Sequence, residues 1–161
     1  MTQIEHWRDF FVAEAGAAAA LAGLLFVAVS INLPRILEFK HLPTRALEAL
    51  AALISVLVIA TFALIPDQSL ATLGYEIAGA GLTITVVQIF ALVLSHQGVA
   101  KYVSWTQHAL MNLTPPLPFL VAGVLMILGD ANGLYWLVPG VLLSFLAGVL
   151  GAWVLLVEIH R

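Results

Sequence analysis

Residues 45–65, RALEALAALISVLVIATFALI, decide the fold. They begin with Arg45 and Glu48 and continue for 17 residues without a charge. An α-helix crossing the hydrocarbon core of a bilayer needs about 20 predominantly apolar residues. Thr44, after Pro43, stands where an N-cap belongs, and Pro66-Asp67 supplies the stop. The stretch therefore reads as a transmembrane helix.

Working outward, three further runs read the same way. Residues 10–33 contain Glu14 and end before Pro34; residues 70–95 contain Glu76; residues 134–157 close the chain. One more, 115–129, is short. With Thr114 as N-cap, Pro115, Pro116 and Pro118 fall in the first turn, where N–H groups have no intrahelical partner. Such a helix is about 22 Å long, less than the ~30 Å core. The stretch before it, 99–113, is amphipathic: Val99, Tyr102, Val103, Leu110 and Leu113 share one face, and Lys101, Ser104, His108 and Asn112 the other. Two readings follow. One is an interfacial helix at 99–113 followed by a short or tilted span. The other is a broken membrane helix whose unwound middle binds something. The first is favoured, since no second broken helix stands as an inverted mate.

Composition agrees. Of 161 residues, 62% are hydrophobic and 9% charged, and the mean hydropathy is +1.06. A soluble domain carries roughly a quarter charged residues, so most of this surface must face lipid. The runs are too long and alternate too little for barrel strands. The expected fold is an all-α membrane protein, one domain over 1–161, a bundle of five transmembrane helices. The opening MTQIEHWRDFF lacks a basic leader, so no cleaved signal peptide is expected. Five spans place Arg35, Lys40, Arg45, Lys101 and Arg161 on one side, and Arg8 with the two acidic turns at Asp67 and Asp130 on the other. The basic side is cytoplasmic, which puts the N-terminus outside and the C-terminus in the cytoplasm.

Several chemistries are excluded. There is no cysteine, and the net charge of −3 offers nothing to nucleic acid. His6, His41, His96, His108 and His160 fall at ends or in loops without metal-ligand spacing. No phosphate loop or catalytic triad motif is present. No enzyme activity, catalytic residue, cofactor or metal is expected.

A charge within a span costs about 2.5–3.5 kcal/mol at a helix centre and needs a reason. Glu14 and Glu76 reach similar depth from the outer side, where two carboxylates could share a proton or bind a cation; helix-dipole or boundary placement would also explain them. Thr72, Gly79, Ala80 and Thr83 share the side of Glu76, and Gly81, Thr85, Gln88 and Ser95 form a second stripe, so the 70–95 helix is expected to be central. Gln88 needs a hydrogen-bond partner. Glu14 and Asn32 lie five turns apart on one face, with Ala18, Leu21, Leu25 and Ala28 between, as a pore wall or two membrane boundaries would require. Glu48 reads as a cytoplasmic surface ion pair with Arg45. Gly140, Ser144, Gly148 and Ala152 recur every four residues as a helix-packing face, either within one chain or between copies, and Gly16-Ala20 and Ala19-Gly23 repeat the theme.

The stretch FFVAEAGAAAALAGLLFVAVSINLPRIL resembles the opening of small, uncharacterised bacterial integral membrane proteins. The resemblance covers about the first fifth of the chain, implies a bacterial inner-membrane location, and transfers no activity. The expected function is an oligomeric channel or small transporter for protons or small cations, using Glu14, Glu76, Gln88 and Asn32. The alternative is a non-catalytic structural or regulatory subunit. The expected partners are the lipid bilayer and either further copies of the chain or another membrane protein.

Overall fold

Where no water reaches, each backbone N–H and C=O must find its partner inside its own segment, and helices result. The computed structural model describes residues 3–39, 42–95, 109–110 and 112–159, and the regular structure among them is helical. A 3-10 turn, Ile4–Trp7, leads into α1, Arg8–Ile31, and a short α2, Leu33–Leu37. Then come α3, Leu42–Ala63; α4, Leu70–Ser95; α5, Pro116–Ile127; and α6, Gly133–Ile159. Four are long and apolar enough to cross a membrane: α1 with its leading turn, α3, α4 and α6. The 12 residues of α5 reach only about 18 Å.

The helix ends differ from the sequence reading in three places. Pro34 does not stop the helical course; it sits in the first turn of α2, after Asn32 has closed α1 by donating its Nδ2 to the Ala28 carbonyl at 2.9 Å. The third helix starts at Leu42, so Thr44 lies inside its first turn rather than capping it. Thr114 caps nothing either, since its hydroxyl donates backwards to the Leu110 carbonyl. Residues 109, 110, 112 and 113 are helical and turn through 114–115 into α5, while 99–108 and 111 of the expected interfacial helix lie outside the described residues.

Helices α3, α4, α5 and α6 form a ring in which each packs on the next and α6 returns to α3; α1 lies outside, mainly against α3. The most buried span is therefore α3 and the least buried α1. This corrects the expectation that the 70–95 helix is central. The reason is the alanine content of α3: Ala46, Ala49, Ala52, Ala60 and Ala63 are buried and let neighbours approach from several directions. On α1 the buried residues Phe11, Ala18 and Leu25 recur every seven positions, the seam of a coiled-coil-like pair. Val56, Ile59, Leu73, Ile77, Phe119 and Leu137 fill the inside of the ring.

Glycines set the closest approaches. A Cβ on Gly123 would stand 2.7 Å from the Ala78 backbone nitrogen, and one on Gly74 would stand 2.8 Å from that of Ile127. Thus α4 and α5 touch backbone to backbone. The α5–α6 link is equally defined. Gly129 has φ +83, with Gly129 N bonded to Met126 O and Asp130 N to Leu125 O, a Schellman end. Asp130 then accepts the Asn132 N–H at 2.9 Å and starts α6.

Gly123→Ala is expected to cost about 1–3 kcal/mol by overpacking against backbone that cannot yield. A thermal melt in detergent should show the loss. Gly16→Ala, with nothing within 4 Å of the new methyl, should leave the midpoint unchanged or slightly raised.

Candidate functional site

The chain's N-terminus and the turns at 63–70 and 127–133 mark one end of the bundle, here the N-terminal end; the C-terminal end lies opposite. Near the N-terminal end, Glu76 on α4 is partly buried and accepts a hydrogen bond from Gln68 Nε2 in the α3–α4 connection. Ser69, in the same connection, caps α4 by accepting the Thr72 N–H at 3.1 Å. Beside Gln68 is a polar cup of about 690 Å³, lined by Glu5, Arg8, Asp9 and Asp67. On its other side, Glu76 opens into a groove of about 570 Å³ between α3 and α4. This groove runs from Phe62 to Leu47 along α3, about 22 Å at the helical rise. Its walls are apolar apart from Glu76, Tyr75, Ser55 and Thr83, and its exposed rim residues include Leu47, Ile54 and Tyr75.

Glu14 does not join it. Helix α1 packs against α3 outside that groove, so the two expected partner carboxylates belong to different interfaces. The face running from Glu14 to Asn32 does border an opening: Leu21, Leu25, Ala28 and Asn32 line a second groove, about 260 Å³, between α1 and α6. Leu24, Val149 and Leu156 on its rim are exposed, so it is a lateral groove rather than a pore through the bundle.

Gln88 is 1% exposed and lies towards the C-terminal end, away from Glu76. The structure thus separates the four expected ion-site residues rather than gathering them. It brings forward another instead. Glu48 is 6% exposed, which overturns its reading as a surface group, and it accepts a hydrogen bond from Asn112 Nδ2 at 3.4 Å. A signal for this was present. Glu48, Ala52, Ser55 and Ile59 recur at helical spacing and all are buried, so Glu48 shares the inward face of α3. Arg45 Nε is also buried and has no hydrogen-bond partner among the described residues.

The four-residue stripe on α6 packs within the chain. Gly140 meets the Phe119 ring, Gly148 meets Leu53, Ser144 is fully buried, and Ala152 packs beside Leu155 and Ala49. Gly16 and Gly23 on α1, by contrast, face open space.

Among the described residues no group of three His, Asp or Glu side chains converges as a multidentate metal site. Comparison with protein-family models, curated proteins and solved structures finds no match to this chain.

Asn112→Ala is expected to destabilise the protein by about 1–3 kcal/mol, because the buried carboxylate loses a donor. In the Asn112→Ala background, Glu48→Gln should recover part of the loss, since a neutral amide is cheaper to bury. Thermal melts of the single and double variants in detergent measure both effects.

Proposed function

We propose that this chain is a multi-pass protein of a bacterial inner membrane that conducts protons or small cations along the α3–α4 pair. In this reading the N-terminus is outside and the C-terminus cytoplasmic. The helical residues 112–113 and the turn at 114–115 lead into α5, and together they make the fifth crossing. One observation carries the proposal: two carboxylates stand on one helix pair within membrane-spanning segments, Glu76 near one end and Glu48 near the other. Each is costly there without a use. Glu76 is bonded to Gln68, which lines a polar cup holding Glu5, Asp9 and Asp67 with one base, Arg8, and the acidic excess would concentrate cations. Ser55 and Thr83 add polar atoms to the groove that Glu76 opens into, and Glu48 lies beside it on the inward face of α3. The ring interior is filled with apolar side chains, so the route follows the groove. Sealing that groove from lipid calls for a further copy or another membrane protein.

A second reading, a non-catalytic structural or regulatory subunit, is favoured by α1. Its outward face carries Gly16, Ala20 and Gly23, and both glycines are open to close approach by another helix.

In liposomes, Glu76→Gln and Glu48→Gln should each lower proton or cation flux by at least about tenfold, the scale of losing an essential charged group. Flux from the wild-type chain no greater than from empty vesicles, under every gradient, would remove the first reading. For the second, Gly16→Leu with Gly23→Leu should release a co-purifying membrane partner while leaving the melting midpoint in place. Retention of the same partner would argue against it.

A further inference from the structure

The α3–α4 groove opens sideways, past the exposed rim residues Leu47, Ile54 and Tyr75. Its volume of about 570 Å³ falls within the roughly 300–1,000 Å³ of clefts that take small organic ligands. Glu76 is the one charged residue among the described residues of its walls, which include no Lys, Arg or His. The Gln68 amide that donates to Glu76 is neutral and adds no counter-charge. The other polar atoms have the same sense. Thr83 donates its hydroxyl proton to the Gly79 carbonyl at 2.9 Å, and Ser55 donates to the Ala52 carbonyl at 2.7 Å. What both oxygens still offer is lone pairs. Of the lining side chains, only Tyr75 has a donor that is not turned back to its own helix. Gln68 Oε1, on the amide that holds Glu76, is a further acceptor, buried and unbonded among the described residues.

We propose that this groove is a binding site for an amphiphilic organic cation, with the positive head at Glu76 and the apolar body along α3 and α4. Charge and polarity select the class. An anion would meet repulsion from Glu76, and a neutral lipid chain would leave that carboxylate without a counter-charge. A metal ion, to be held rather than passed on, needs several oxygen ligands around it. An organic cation needs one counter-charge and satisfies the rest of its surface on apolar walls. Phe62 and Tyr75, which also line the groove, supply aromatic rings of the kind that attract ammonium-type cations. Such a molecule dissolves in the bilayer and reaches the groove from the side. The assignment rests on the conduction reading only for its consequence, that a bulky cation lodged in the groove closes it to smaller ones.

The test is binding of radioactive tetraphenylphosphonium to the full-length protein in a neutral detergent, counted against empty micelles. Saturable binding of one ion per chain is expected. Tetraphenylborate, with the same shape and the opposite charge, should show none in a separate titration. Glu76→Gln should weaken tetraphenylphosphonium binding about tenfold or more, the scale of losing a charge partner. Gly79→Leu should abolish it. Gly79 lines the groove and a Cβ there meets nothing within 4 Å, so the new side chain fills the space without straining the fold. Glu14→Gln, at another interface, should leave binding unchanged. Thermal melts establish that each variant is folded. Absence of saturable binding by the folded wild type, as a second copy or a tightly held lipid in the groove would produce, overturns the site. So does equal binding of tetraphenylborate, or binding that survives both Glu76→Gln and Gly79→Leu. Binding without ion flux into liposomes would spare the site and sink the conduction reading; flux without binding would do the reverse.

Discussion

Close approach between helix backbones is what the rest of this structure depends on. Lipid tails are as apolar as leucine, so no hydrophobic force gathers helices once they are in a bilayer. Association then rests on dispersion contacts, which reward surfaces that fit at short range. The chain meets this with small residues placed where helices cross: alanines around α3, Gly74 and Gly123 between α4 and α5, and Gly140 and Gly148 on α6. With these contacts in place, the large side chains Phe119, Leu137 and Ile77 close the interior.

That economy makes the polar exceptions informative. An interior assembled by close contact has little room for groups that want water. Yet Glu48, Gln88, Asn112, Ser55 and Ser144 are all buried. Two of them, Glu48 and Asn112, meet towards the C-terminal end, just before the chain turns through 114–115 into the short α5. The asparagine that meets Glu48 stands on the last helical residues before that turn, so the bend and the buried polar pair are neighbours along the chain.

Much of the architecture was legible in the sequence, because hydropathy and length alone identify helices such as 70–95, whose ends coincide with those of α4. Packing was less legible. Small-residue stripes mark close contact without naming the partner, so α6 could be read as an oligomer face although it packs on Leu53 and Phe119. Centrality is hidden in the sequence for a related reason. Polar stripes on 70–95 suggest a central helix, whereas α3 is central through buried alanines that carry no polar signal. For the site, depth counted along each helix placed Glu76 correctly near one end. It could not show that Glu14 belongs to another interface, since depth carries no information about azimuth around the bundle. Glu48 was misplaced because closeness to a helix end suggests water, while the inward face of α3 decides otherwise.

The way the helices are joined divides the molecule mechanically. The block α4–α5–α6 is stiff, held by backbone-to-backbone contact at Gly74 and Gly123 and by the bonded turn at Gly129–Asn132. Helix α1 is attached through the joint at Asn32 and bears mainly on α3. A neighbour that leans on α1 therefore delivers its push to α3 first, and α3 is the strut on which Glu48 is mounted.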